Sequence, residues 1–283
     1  MARIQREVLI NHLKRISCGG LIKEAIFRDS FAADALQPSH LLLVVAPNLD
    51  GVDPLEGEIG IGDIKKVIAA LGFIGGDGDE TADVDVSIVN KRLVIDESAR
   101  NARVSIVTAN PKTIATRVSD ETVQKLLDKI DAADAGSVTI AVGMLDDVQR
   151  VYAGLKADTV KLVLGPNGGF IKVGTENSDG AEFFSPALTA PQECTLHFDE
   201  HLIRVFEIVS GDVVLRLPGA GSTTIAIEDE GFIYLVSAKA QAAAGKPAIK
   251  KSAEDAAVPA AEVAKPKTRA RRTAATPAAP AAA

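Results

Sequence analysis

Short apolar, β-branched runs separated by turn residues dominate the chain as far as residue 239, and four segments break that rhythm with a helical one. The strand-like runs lie at 21–28, 40–46, 84–89, 92–97, 102–108, 137–143, 159–164, 169–175, 180–185, 194–198, 212–217, 223–228 and 231–237. Asn167-Gly168-Gly169 and Gly219-Ala220-Gly221 each fall between two such runs and predict hairpin turns. A helical period is predicted over 5–17, 63–72, 145–156 and 199–210, with Asp63 and Asp199 standing where N-caps belong.

The four helical segments share a local pattern of apolar, any, basic, β-branched. It reads Leu13-Lys14-Arg15-Ile16, Ile64-Lys65-Lys66-Val67, Val148-Gln149-Arg150-Val151 and Leu202-Ile203-Arg204-Val205. Ala115-Thr116-Arg117-Val118 matches it outside any helix, so the spacing carries more than the letters. Arg15 and Lys66 are 51 residues apart, Arg150 and Arg204 54, and the two pairs are offset by 135 and 138. Two similar halves, each of two similar quarters, is the economical reading. On a helical wheel Leu202, Val205, Phe206 and Val209 form one stripe with Arg204 opposite. Lys66 stands likewise against Ile64, Val67, Ile68 and Leu71, and Arg150 against Leu145, Val148, Tyr152 and Leu155. Lys14 and Arg15 flank the polar face opposite Leu9, Leu13 and Ile16. A solvated amphipathic helix carries such residues by default; four in equivalent register suggest a shared basic surface.

Charge sharpens that suggestion. The 283 residues carry a net −7. Residues 240–283 hold eight basic and three acidic side chains, a net +5, which leaves −12 on residues 1–239. An acidic body is repelled by nucleic acid at long range, so any contact needs a local basic patch or the tail. The tail has five prolines and no aromatic residue, and its Ala/Pro/Lys composition predicts disorder. Aromatics make up 4% of the chain and Trp is absent, so cores must be built from Val, Ile, Leu and Ala. Two cysteines give no disulfide framework. The charged N-terminus does not read as a secretory signal, and no window reaches the roughly 18 apolar residues of a membrane span. The expectation is a cytoplasmic protein that does not engage a membrane.

Candidate chemistry is sparse. Cys194, His197 and His201, with Asp199 and Glu200 between, suggest metal ligands. His197 belongs to a strand and His201 to the following helix, so they do not share a helical face. Gly75–Glu80 resembles one unit of a calcium repeat, but such sites need stacked copies. Gly165–Gly169 lacks the Lys and Ser/Thr of a phosphate loop. No nucleophile–base pair is recognisable by spacing. No catalytic residue, metal or cofactor is predicted, and the chain reads as no enzyme.

Residues 3–239 resemble the DNA sliding clamps of the proliferating-cell-nuclear-antigen type and their tailed-phage relatives. The best stretches are Cys194–Phe206, Glu228–Ala238 and Leu36–Val44. The resemblance implies an α+β fold of two clamp domains, 1–111 and 137–239, joined by a connector over 112–136. Each domain repeats a helix-plus-strands unit twice, with sheets outside a ring and helices lining its channel. It implies a homotrimer that encircles double-stranded DNA without sequence preference and works with a DNA polymerase and a clamp loader, in the host cytoplasm if the protein is viral. Lys14, Arg15, Lys66, Arg150 and Arg204 would face the DNA. Leu36, His40, Leu41, Leu235, Ser237 and Ala238 would hold partner peptides, although His40 also reads as a plain turn histidine. Edge strands at 102–108, with Val104 and Ile106, and 180–185, with Phe183 and Phe184, would join subunits. The connector departs from the family in carrying a helix-like piece at Glu121–Ile130. A β-rich structural protein of a phage virion is the competing reading, and a metal-dependent hydrolase using the Cys194–His201 cluster a third.

Overall fold

The computed structural model describes residues 2–239, apart from 51, 53, 55–56, 76–81, 98–100, 132–135, 176–179, 191–192 and 219–221. The predicted turn at 219–221, most of the 75–80 loop and the 240–283 tail lie outside the described residues.

The elements come in four like-ordered runs, each a strand, a helix and three strands. The first is β1 (Ala2–Gln5), α1 (Arg6–Ser17), β2 (Ala25–Arg28), β3 (Ala32–Leu36) and β4 (Leu42–Ala46). The second is β5 (Ile59–Ile61), α2 (Ile64–Gly75), β6 (Asp83–Val89), β7 (Arg92–Glu97) and β8 (Ala102–Val107). A further helix, α3 (Asp120–Asp131), stands between the halves. The third run is β9 (Ser137–Ile140), α4 (Val142–Leu155), β10 (Thr159–Leu164), β11 (Gly169–Gly174) and β12 (Gly180–Ser185). The fourth is β13 (Cys194–Phe198), α5 (Glu200–Phe206), β14 (Val213–Arg216), β15 (Thr224–Asp229) and β16 (Phe232–Ser237).

Pairing ties the runs together two by two. β1 joins β6 while β5 joins β2, and β9 joins β14 while β13 joins β10. Each run thus lends its first strand to its sister's sheet. Two four-stranded sheets result, β1-β6-β7-β8 and β12-β11-β10-β13. The third sheet has eight strands, β5-β2-β3-β4-β16-β15-β14-β9, and crosses from one half to the other where β4 meets β16.

That junction explains why β4 reads as an unbroken apolar run. Side chains alternate between the faces of a strand, so a run apolar at every position is covered on both. Leu42, Val44 and Ala46 face the main core with Tyr234, Val236, Ile225 and Ile227, against α1 and α5. Leu43 and Val45 face the other way, with Ile233, Leu235 and Ala226, and are covered by α3.

Several boundaries depart from the sequence expectation. The helix expected over 199–210 ends at Phe206, where the Ser210 N–H is instead taken by the Asp229 carboxylate. The strand expected over 21–28 starts at Ala25, because a tight turn at Cys18–Gly20 follows α1. The strand expected to 143 stops at Ile140: the Val142 N–H donates to Asp212 at 2.9 Å and opens α4. β1, β3 and β5 were not legible, since each is short and becomes a strand by adding to a sheet already formed. Asp63 and Asp199 cap as expected, accepting from Lys66 N at 3.1 Å and His201 N at 3.0 Å. Gly168, at φ +116°, forms the predicted β10–β11 turn, and a Cβ there would meet the Phe184 ring at 2.9 Å.

Candidate nucleic-acid and partner interfaces

The four run helices follow one another in the order α2, α1, α5, α4. α1 packs on α2, α5 on the turn that ends α1, and α4 on α5. The Gln149 amide of α4 also donates to Phe206 O at 2.8 Å. Two cations straddle the carbonyl end of α1. Lys65 lies so close over Gly20 (φ +91°) that a Cβ there would meet its Cε at 2.2 Å, and Arg204 passes over Gly19 at 3.2 Å from the same test position. Positive charge at a helix C-terminus is favourable.

Lys14, Lys66, Arg150 and Arg204 lie on this side with solvent access, the first three exposed and Arg204 half-buried. Three have acidic neighbours: Lys14 is 4.0 Å from Glu7, Arg150 3.2 Å from Asp147, and Arg204 2.7 Å from Glu207. Exposed pairs of this kind are weak and leave the cations available to a stronger anion.

Arg15 is different and corrects the sequence reading. Its side chain is only 12% exposed and turns back onto the second half of the chain. It pairs with Asp229, donates to Glu230 at 2.5 Å, to Asp229 O at 2.8 Å and to Tyr234 Oη at 3.3 Å, and lies 4.2 Å above the Phe232 ring. Helical-wheel position put Arg15 on the polar face, but a partner 214 residues away claims it. Burial pushes the Tyr234 phenol well above its ordinary range.

On the opposite face of the central sheet, a cavity of about 210 Å3 opens beside α3. Leu36, His40, Leu235 and Ser237, four of the residues read as partner-binding, line it, with Leu43 and Thr224 from the sheet and Val118, Thr122 and Leu126 from the connector. Leu41 and Ala238 are not lining residues. Leu41 contributes its carbonyl to Ser237 N at 2.9 Å, and Ala238 is buried in the main core. His40 sits in the β3–β4 turn at φ +61°, its N–H donating to Gln37 O at 2.8 Å. The connector residues were missed because only the folded chain lays α3 across the sheet.

At the two ends of the helix series lie open strand edges. Among the described residues β8, beside α2, pairs only with β7, and β12, beside α4, only with β11. A groove of about 520 Å3 runs along β8, lined by Val104 and Ile106 together with Val67 and Ala70 of α2. Val107 is 65% exposed. On β12, Phe183 is half-buried, and Phe184, 52% exposed, rests 5.2 Å from Phe170. Unpaired, apolar edges of this length invite another chain.

Cys194 and His197 lie on β13 and His201 in the first turn of α5, where its Nδ1 is engaged by Asp199. Among the described residues no group of three or more His, Cys, Asp or Glu is placed to hold a metal ion. No described helix is long and apolar enough to cross a membrane.

No protein-family profile and no curated protein matches the chain. Solved structures do. A chain from the structure of the C-terminal region of FEN-1 bound to A. fulgidus PCNA matches with a TM-score of 0.60 at 13% identity, covering 85% of this chain and 99% of that one. The proliferating cellular nuclear antigen of Entamoeba histolytica matches at 0.61 and 12%, covering 84% and 98%. A chain assigned as a DNA polymerase III beta subunit, from Eubacterium rectale, matches at 0.60 and 13%, covering 83% of this chain and 64% of its own length. At such low identity over nearly the whole of two PCNA chains, what is shared is architecture: this protein has the fold of the DNA sliding clamps.

Proposed function

We propose that this protein is a DNA sliding clamp, a non-enzymatic ring that encircles duplex DNA and tethers a polymerase and other replication proteins. The observation that carries this reading is the placement of two open sheet edges, β8 and β12, at opposite ends of one series of four helices. If the β8 edge of one copy takes the β12 edge of the next, every copy adds its helices to a common inner wall. The contact is heterologous, so it closes only at a fixed number of copies. With four runs per chain, as two domains over 1–111 and 137–239, three chains make the six-domain ring expected of a two-domain clamp.

In such a ring Lys14, Lys66, Arg150 and Arg204 meet phosphate oxygens. These contacts carry no base information, which suits a ring that must travel. Their acidic neighbours and the net −12 of residues 1–239 keep the attraction weak. The basic tail adds a salt-sensitive, non-specific contact. Partner peptides bind on the sheet face opposite α1, α2, α4 and α5, starting at the cavity lined by Leu36, His40, Leu235 and Ser237 beside α3.

Light scattering after gel filtration tests the ring. A mass of three chains at micromolar protein supports it. A stable monomer in moderate salt, or an open-ended assembly, refutes it.

A further inference from the structure

α3 is fastened to the central sheet at both ends and along one side. Its first residue, Asp120, pairs with Arg28, which Asp34 of β3 holds from below. Its last residue, Asp131, pairs with Arg216, which lies 2.6 Å from Glu228 of β15. Between these clasps Val123, Leu126, Leu127 and Ile130 stand at i, i+3, i+4 and i+7, a single stripe. They cover Leu43, Ala226 and Leu235, with Leu36, Val45 and Ile233 around them.

The seat is shallow. Val123 is the one fully buried side chain of α3; the other three of the stripe are half-buried. The carboxylates of both clasps are open to solvent, Asp120 at 81% and Asp131 at 61% exposure, so salt screens them. A twelve-residue helix is marginal on its own in water. The helix therefore persists because the sheet holds it, and the holding is weak at the ends.

What lies beneath is the apolar outer face of β4, β15 and β16. With α3 in place, the cavity left beside it there measures about 210 Å3. That is below the roughly 300–1,000 Å3 of ordinary ligand pockets, and a peptide anchoring several side chains needs more. We propose that α3 is a releasable strap: closed, it covers this face, and when its two end clasps part it uncovers Leu43, Ala226 and Leu235 for an apolar peptide segment of a partner. The partner's being a replication protein rests on the clamp reading; the opening of the strap does not.

Thiol labelling tests the strap without DNA, polymerase or ring. Ala226→Cys, placed in a Cys194→Ser background, puts a thiol under α3 at a position that is 1% exposed, with little change in volume. Cys18, fully buried in the main core, remains as the internal gauge of global unfolding. The A226C thiol should react faster than Cys18 under native conditions. Its rate should rise roughly five-fold when Asp120→Asn and Asp131→Asn break both clasps, and similarly from low to molar salt, as expected for two exposed ion pairs. Cys18 should not respond. Equal rates at both thiols, with the clasps intact or broken, would mean that α3 leaves the sheet only when the protein unfolds, and would overturn the proposal. Amide hydrogen exchange on the unsubstituted chain gives the same reading should A226C fail to fold. Amides of Val123–Ile130 should exchange well before those of β16, and equal protection overturns the strap. Either result stands whether or not three chains form a ring, so loss of the strap and loss of the clamp reading are told apart.

Discussion

Arg15→Met should destabilise the folded chain by about 3 kcal/mol, and the reason lies in what the guanidinium leaves behind. The methionine keeps an apolar stem over Phe232 but removes the charge and every donor. The Asp229 side chain, 4% exposed, then retains one long hydrogen bond, from Ser210 N at 3.3 Å. Breaking a buried pair from one side costs about 3–5 kcal/mol because the remaining charge is uncompensated. Glu230, 67% exposed, adds little, since exposed pairs contribute about 0–1 kcal/mol. The lower end of the range is appropriate because Asp229 can take up a proton. The two partners divide the pair unequally. Burial works against the Arg15 charge, but Tyr234, Asp229 and Glu230 outweigh it and raise its pKa. For Asp229, the more deeply buried of the two, burial outweighs the guanidinium and holds the carboxyl above the usual range. An acid whose folded pKa is raised binds its proton more readily folded than unfolded. Its penalty is therefore full at neutral pH and fades as pH falls through the folded value towards the unfolded one. Removing Arg15 raises that folded value further. The loss in R15M should accordingly be largest near neutrality, shrink in mild acid, and be partly recovered by adding Asp229→Asn. Urea unfolding followed by circular dichroism, at fixed protein concentration, measures all three. A loss below about 1 kcal/mol, or no recovery with D229N, refutes a stabilising role for the buried Arg15–Asp229 pair. Weakened DNA retention at unchanged stability would restore Arg15 to the DNA-facing set.

Replacing Lys14, Lys66, Arg150 and Arg204 together with Ala should leave the urea midpoint nearly unchanged, at about 0.5 kcal/mol or less per site. The slope of log affinity against log salt for duplex DNA should fall by up to roughly 3–4 units; an unchanged slope removes the helix series from the DNA interface. Ile106→Glu, on the open edge of β8, should shift gel filtration from three chains to one while far-UV circular dichroism stays constant. Persistence of the trimer would place the joint elsewhere. Cys18 is fully buried, and burial pushes its thiol up to about 12, whereas Cys194 is half-buried. One thiol, Cys194, should therefore react with a maleimide at mildly alkaline pH and the second only in denaturant; two equally fast thiols would contradict the core packing around α1.

The helices and most strands were legible in the chain itself. Periodicity is a local property: Ile64, Val67 and Leu71 mark one side of α2 wherever that side is to be buried, and Asp63 and Asp199 cap their helices through bonds spanning two or three residues. The spacing of four basic residues likewise pointed to four equivalent runs. What the chain could not disclose are facts of long-range pairing. β1, β3 and β5 have too few residues to declare themselves, and exist because a neighbouring strand offers its edge. Arg15 and Lys14 are neighbours with the same charge on the same polar face. One remains exposed and the other is captured, because the β15–β16 turn brings Asp229 and Glu230 over α1. The amphipathic stripe of α3 announced that something would cover it, but not that the cover would be the outer face of the central sheet. Local sequence determined which side of each element is apolar; the tertiary fold alone decided which apolar sides and which charges meet, because those partners are set by chain topology and not by distance along the sequence.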